Sequence, residues 1–292
     1  MRAARVSATA DFPDAVGPTT KKHRLGSGGD TAVRLARKSP LATNSGRRID
    51  EAARLMSPSP SITVVVPLYN EQGNVVELQN QIAAALAGQD YEMVLVDDGS
   101  TDATAIRVVP GHRVRLLRFA QNTGQSAAMH AGIEQARGEI IVTIDGDLQN
   151  DPADIPGMIA KLAEGHDLVC GYRVHRKDSA FKRLQSRVAN FVRARFVGDG
   201  VSDSGCTLKV MRRECREALV LFDGMHRFIP ALVKQRGYRV TEMPVHHRPR
   251  IHGVSKYGFG NRAWRATMDM IGVRWLNSRR LRYRLKPDQP AE

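Results

Sequence analysis

Cysteine is scarce in this chain. Cys170, Cys206 and Cys215 are the only three, an odd number with no close C-x-x-C pair, which excludes a disulfide framework and a closely spaced thiolate zinc site and points to a reducing compartment. Long apolar runs are missing as well. No stretch approaches the roughly 18–20 consecutive apolar residues that a spanning helix needs, so any membrane contact is expected to be peripheral. The N-terminus lacks the apolar core of a secretory signal, and export is not expected. There is no internal repeat. Acidic residues are in deficit: 30 Asp and Glu stand against 44 Lys and Arg, a formal net charge of +14. That excess points to an anionic partner, with nucleic acid, a negatively charged membrane surface and phosphorylated substrates all open on charge alone.

What is present falls into three parts. Residues 1–58 are rich in Ala, Ser, Arg, Pro and Gly without an apolar period, and read as a disordered basic extension. Its composition is close to that of a transit peptide, but Asp11, Asp14, Asp30, Asp50 and Glu51 count against a targeting role. Residues 59–258 carry alternating strand and helix patterns and form the expected main domain. Residues 259–292 hold an amphipathic helix and a basic tail.

Within the main domain, Ile62–Val66 is a buried-strand run, followed by a helix with Val75, Leu78, Ile82 and Leu86 on one face. Met93–Val96 and Val114–Arg118 are further strands, and a helix of about 14 residues is expected to end near Gly138. Ile140–Ile144 then runs abruptly into Asp145-Gly146-Asp147-Leu148-Gln149, with Asp151-Pro152 opening the next helix. Later strands are read at Asp167–Cys170, Thr207–Met211 and Thr241–His247, with a loop at Val201–Cys206 and a helix opened by Met225–Pro230. Such alternation implies an α/β fold, a mostly parallel sheet flanked by helices, with functional loops at the strand ends.

Those ends are acidic. Tyr69-Asn70-Glu71, Asp97-Asp98 and Asp145-Gly146-Asp147 close three strands, and in a parallel sheet they converge on one edge, forming a nucleoside pocket beside a metal. Two carboxylates one residue apart need a cation or a shared proton, and hard ions such as Mg²⁺ or Mn²⁺ take oxygen ligands of this kind. A nucleic-acid binding module is disfavoured, because bare acidic tips repel phosphates.

Taken in order, Val66-Pro67-Leu68-Tyr69-Asn70-Glu71, Val96-Asp97-Asp98-Gly99-Ser100-Thr101-Asp102, Asn122-Thr123-Gly124-Gln125, Asp145-Gly146-Asp147-Leu148-Gln149 and Ser255-Lys256-Tyr257 resemble a family 2 glycosyltransferase of the GT-A (Rossmann-like) fold. The resemblance is to the dolichol-phosphate mannosyltransferase and polyprenyl-phosphate glycosyltransferase branch, and it spans Ser61 to about Leu276. It implies inverting, metal-dependent transfer of a hexose from a GDP- or UDP-sugar to a polyprenyl phosphate, at the cytoplasmic face of a membrane that the protein meets peripherally. It implies that Pro67, Tyr69, Glu71, Asp97, Asp98 and Gln125 line the nucleotide pocket and that Asp145, Asp147 and Gln149 hold the metal. Arg173, Lys182, Ser186, His226 and Arg227 would receive the acceptor phosphate, with Asp147, Arg173 and Lys182 as the catalytic set. Arg248, Arg250, Ser255 and Lys256 would cover the diphosphate. Gly146 stands where the branch usually has alanine, a replacement expected to cost the site nothing. A processive polysaccharide synthase of the same fold is disfavoured, because Arg274-Trp275 is preceded by Ile271 where its Q-x-x-R-W motif needs glutamine.

Two segments bear on the membrane. Ala180–Phe196 sets Phe181, Leu184, Val188 and Phe191 on one helical face among Lys182, Arg183, Arg187, Arg193 and Arg195, a pattern that fits an anionic bilayer or a solvated surface equally. The last helix carries Trp264, Met268, Ile271 and Trp275 at helical spacing and runs into Arg279, Arg280, Arg282, Arg284 and Lys286; interfacial tryptophans beside a basic run favour lipid contact. Removal of residues 277–292 is expected to weaken cosedimentation with anionic liposomes, and unchanged cosedimentation would eliminate the basic tail as an anchor.

Overall fold

In a computed structural model, the described residues are 60–174, 196–249 and 260–279, with side chains in the last segment described from Thr267 onward. The chain divides into two units, Met1–Leu55 and Met56–Glu292, and every described residue belongs to the second. The N-terminal extension, Lys182, Ser186, Arg250, Ser255, Lys256 and the basic run from Arg280 lie outside the described residues.

Seven strands form one sheet among the described residues: β1 (Ile62–Leu68), β2 (Tyr91–Asp97), β3 (Val114–Arg118), β4 (Ile140–Thr143), β5 (Leu168–Arg173), β6 (Lys209–Arg212) and β7 (Val240–Val245), in the order β3-β2-β1-β4-β6-β5-β7. β6 alone runs antiparallel, between β4 and β5; the other neighbours pair in parallel. Every residue of β1 and β2 is buried, as expected for central strands covered on both faces.

The pleat sends alternate residues to opposite cores. Val64, Val66 and Leu68 join Val75, Leu78 and Ile82 of α1 (Val75–Ala85), while Val65 faces the other side. After the short α2 (Thr104–Arg107) comes α3 (Gln125–Glu134), whose Met129 and Ile133 belong to that second core. Ile155, Met158 and Leu162 of α4 (Ile155–Ala163) complete the first core. Ile229, Leu232 and Val233 of α5 (Ile229–Gln235) and Val273 of α6 (Gly260–Ser278) complete the second. Each such buried aliphatic side chain stabilises by about 1.5–3 kcal/mol.

Two sequence expectations are revised. The helix expected to run about 14 residues to Gly138 ends at Glu134, because the chain must turn there to enter β4. At Gly138 a Cβ would lie 2.6 Å from the Thr63 backbone nitrogen, and the Gly138 N–H donates to Thr63 Oγ1 at 2.8 Å. The helix opened near Met225 is split, with a 3₁₀ turn at Met225–Arg227 before α5. No helix among the described residues is long and apolar enough to cross a membrane. On α6, Met268, Ile271 and Trp275 are exposed at 40%, 46% and 61% while Val273 is buried; the apolar stripe read from the sequence points outward at these three positions.

Gly138→Ala is expected to destabilise the domain by about 1–3 kcal/mol, because backbone blocks the new methyl; urea unfolding with an unchanged midpoint would refute that packing.

Candidate active site

The carboxyl ends of β1, β2 and β4 lie side by side, with Leu68 opposite Asp97 and Val65 opposite Thr143. Beyond β4 the chain tightens into a turn in which Leu148 is buried and takes a left-handed φ of 60°. A non-glycine residue rarely adopts that conformation, and such strain is tolerated where neighbours hold it in place. Asp147 Oδ1 accepts the Gln149 N–H at 3.1 Å, closing the turn from inside.

Asp145 is strongly perturbed. Burial of its carboxyl end first, and the adjacent Asp147 charge second, push its pKa up to about 6. Opposing this are hydrogen bonds from Thr207 and Gln125 and the positive charge of Lys209. The Gln125 bond, Nε2 to Oδ1, is 2.7 Å long and fastens the first residue of α3 to the acidic turn. Lys209 is 1% exposed, its ammonium donating to the Cys206 carbonyl. A buried ammonium needs an opposite charge close by, and the acidic turn supplies one.

The other acidic tips are engaged within the protein. Asp98 Oδ1 accepts the Thr123 N–H at 2.7 Å, and Oδ2 accepts the Asn122 side chain at 2.8 Å and the Gly124 N–H at 2.9 Å. It therefore clamps the end of β2 to the start of α3. Asp97 accepts the Ser100 N–H at 3.0 Å and pairs with Arg118 at 3.4 Å. The loop after β1 is stitched to the loop after β2: Thr101 N–H to Asn70 Oδ1 at 2.8 Å, Asn70 N–H to Ser100 Oγ at 3.0 Å, and Glu71 N–H to Thr104 Oγ1 at 2.8 Å. Pro67 is buried; Tyr69 and Glu71 are half-buried along this rim.

On the far side of Asp145, Arg173 ends β5 within electrostatic reach of it and is tied to Asp203. His226 Nδ1 lies 2.8 Å from Ser126 Oγ, one residue from Gln125, so the 3₁₀ turn carrying His226 and the half-buried Arg227 borders the same helix start. Arg248 is placed otherwise. Its guanidinium pairs with Asp151 and donates to Gln81 Oε1 at 2.8 Å, while its N–H donates to the Gln149 carbonyl at 2.8 Å. His246 is bound twice by Asp154, each bond 2.7 Å. Residues 246–248 thus form a strap along 149–154.

The structure therefore gathers Pro67, Tyr69, Glu71, Asp97, Asp98, Gln125, Asp145, Asp147, Gln149, Arg173, His226 and Arg227 on one side of the sheet. Lys182, Ser186 and Lys256 fall outside the described residues. Sequence reading passed over Asp203, Thr207 and Lys209. The available signal was Lys209 itself, a charge set in the apolar run Leu208–Met211.

Among the described residues no group of three or more His, Cys, Asp or Glu side chains could enclose a metal. The donor set is instead two carboxylates on one turn, with Gln149 two residues on. It fits a hard divalent cation that draws its remaining ligands from water and phosphate oxygens, as Mg²⁺ sites do.

The fold, with this acidic edge, is that of a GT-A-type domain. Among solved structures, glucosyl-3-phosphoglycerate synthase from Mycobacterium tuberculosis, in complex with Mn²⁺, UDP and phosphoglyceric acid, superposes with a TM-score of 0.57 at 21% identity, over 78% of this chain and 80% of that one. At the sequence level the chain belongs to glycosyl transferase family 2, whose model matches residues 63–219. It is 41% identical over 240 residues to a dodecaprenyl-phosphate galacturonate synthase of Rhizobium johnstonii, covering 78% of this chain and 70% of that protein. It is 39% identical over 211 residues to an undecaprenyl-phosphate 4-deoxy-4-formamido-L-arabinose transferase of Pseudomonas fluorescens, covering 69% of this chain and 62% of the relative. The chain thus spans about two thirds of the length of these relatives.

The glycine between the carboxylates is closely surrounded. A Cβ on Gly146 would lie 2.7 Å from Leu68 Cδ2 and 3.2 Å from the Pro67 carbonyl oxygen, so Leu68 fills the space that a methyl would take. Gly146→Ala is expected to cost about 1–2 kcal/mol in stability and Leu68→Val to restore part of that loss; equal stability of wild type and Gly146→Ala in thermal unfolding would show that Leu68 moves freely.

Proposed function

We propose that this protein transfers a sugar from a nucleoside diphosphate donor to a polyprenyl phosphate, with inversion, at a membrane surface. The observation that carries the reading is the Asp145-Gly146-Asp147 turn with an arginine across from it: Arg173 lies within electrostatic reach of Asp145 while paired elsewhere. One charge pole suits a cation and diphosphate, and the other suits a second anion. The 41% identity to a dodecaprenyl-phosphate galacturonate synthase supports a lipid phosphate as that second anion.

In this reading Asp145 and Asp147, with Gln149, hold Mg²⁺ or Mn²⁺, which supplies counter-charge to the departing diphosphate when bound. Gln125 keeps the Asp145 carboxylate oriented through its 2.7 Å bond. The stitched loops at Tyr69–Glu71 and Asp97–Asp102 receive the nucleoside, uridine or guanosine. Arg173, with Lys182, Ser186, His226 and Arg227, gathers the acceptor phosphate. A lipid monophosphate has a second pKa near ~6 and is largely an oxyanion at neutral pH, so no strong general base is required. Attack by that phosphate oxygen on the anomeric carbon, opposite the departing nucleoside diphosphate, forms the new bond as the sugar–diphosphate bond breaks and inverts the centre. Arg248, held by Asp151 and Gln81, anchors the strap at residues 246–248, and Lys256 is assigned to the diphosphate.

The outward stripe of Met268, Ile271 and Trp275, with Arg274 stacked 4.8 Å over Phe196, supports peripheral docking on an anionic bilayer at its cytoplasmic face, where a polyprenyl phosphate presents its head group.

A donor screen with purified protein, undecaprenyl phosphate and Mg²⁺ or Mn²⁺, spanning UDP- and GDP-sugars, tests the reading. Lipid-linked product from one donor is expected, with Asp147→Ala reducing turnover by about 10²- to 10³-fold, the range for loss of a principal charge stabiliser. Transfer to a soluble glycan but not to the lipid would reassign the acceptor, and full activity of Asp147→Ala would remove the metal role.

A further inference from the structure

Arg173 is held by an assembly that the reading above does not use. Its Nε donates to Asp203 Oδ2 at 2.7 Å and its Nη2 to Asp203 Oδ1 at 2.8 Å, so both carboxylate oxygens engage one side of the guanidinium. The Arg173 backbone N–H adds a bond to Oδ2 at 3.3 Å. Side-chain exposure is 16% for Arg173 and 12% for Asp203, so the pair is shielded from water and screened little by salt.

Asp203 is itself seated from behind. Glu242 of β7 accepts, on the single oxygen Oε1, the Ser202 N–H at 2.8 Å, the Ser202 hydroxyl at 3.1 Å and the Asp203 N–H at 3.4 Å. Gly205 leaves room for the fork: a Cβ there would stand 3.2 Å from Arg173 Nη2 and 3.5 Å from Asp203 Oδ1. A bidentate arginine–carboxylate pair fixes direction as well as distance, which a lysine cannot do. The geometry matters because a second acidic centre is near. Asp145 attracts the same guanidinium electrostatically, so a second carboxylate competes for it unless its direction is fixed.

We propose that Asp203, seated by Glu242, is a positioning residue for Arg173. It holds the guanidinium side-on through Nε and Nη2, keeps it off Asp145, and leaves the Nη1 group for the phosphate of the acceptor. The proposal rests on the reading in which Arg173 receives that phosphate, and it assigns Asp203 no contact with substrate.

The test compares wild type, Asp203→Asn, Arg173→Lys and the double variant in the full chain, using undecaprenyl phosphate and the donor found in the screen, with kcat and both KM values measured separately. Asp203→Asn is expected to lower kcat/KM for the acceptor by about 10- to 100-fold, the range for a misplaced reacting or supporting group, with the donor KM within about twofold of wild type. In the Arg173→Lys background the same substitution should change kcat/KM by less than about twofold, since a residue acting through another loses its effect when that other is gone. Multiplicative losses in the double variant, or an equal loss on the donor side, would overturn the proposal. Glu242→Gln in both backgrounds should repeat the pattern in weaker form, and it decides the matter if Asp203→Asn does not fold.

A spectroscopic readout stands apart from turnover. The Arg173 Nε–H proton should exchange slowly in wild type and rapidly in Asp203→Asn, and slow exchange in both would equally reject the positioning role. Wild type that makes no lipid-linked product defeats the acceptor reading while leaving this measurement in force; active wild type with additive variants defeats only the role of Asp203.

Discussion

Two carboxylates on one tight turn at the end of a buried strand repel each other, and most of the polar architecture near the sheet edge answers that repulsion. Burial and Asp147 together push Asp145 up to about 6, so keeping it ionised at neutral pH costs free energy that its surroundings must offset. Gln125, Thr207 and the buried Lys209 contribute part of this. In the proposed function a divalent cation offsets the remainder. An apolar strand end would need none of these partners, and Lys209 in particular would be a liability in the middle of a sheet.

The reversal of one strand explains how those partners arrive. Parallel strands bring their carboxyl ends to a single edge, which places the tips of β1, β2 and β4 together. β6 runs the other way between β4 and β5, with Lys209 opposite both Thr143 and Cys170. Its beginning therefore lies where the ends of its neighbours lie. The preceding segment, from Asp203 through Thr207, is delivered to the acidic edge by the same reversal, and Arg173 at the end of β5 meets Asp203 there. A parallel β6 would carry Lys209 to the opposite edge of the sheet.

Bracing by side chains is equally consequential. Asp98 uses both oxygens on Asn122, Thr123 and Gly124, and Asp102, accepting the Gln72 N–H, and Asn70, accepting the Thr101 N–H, stitch two loops into one rim. Gly99 shows how tight this packing is, since its φ is +67° and a Cβ would stand 2.5 Å from the Gln121 backbone. An acidic residue at a strand tip thus serves the pocket by shaping the loops that bound it, whether or not it touches a ligand. Arg248 makes the same point from the basic side, tied to Asp151 and Gln81 rather than directed at Asp145.

The strands were legible in the residues because β-branched apolar runs bounded by Gly, Pro, Asp and Asn have few other stable forms. Membership in glycosyl transferase family 2 was legible too, because its loop motifs are contiguous: Asp97–Asp102 and Asp145–Gln149 each lie within a few residues. The amino-acid order alone thus determined the α/β class, the acidic tips, the excess of positive charge and the apolar stripe of α6. Pairings between residues far apart in the chain were decided only by the tertiary structure. Arg173 and Asp203 are 30 positions apart, Ser126 and His226 100 apart, and Arg248 and Gln81 167 apart. The same holds for the fit of Gly146 against Leu68 and for the direction of β6. Each depends on which strand lies beside which and in what sense it runs, information that hydrophobic period and loop composition do not carry.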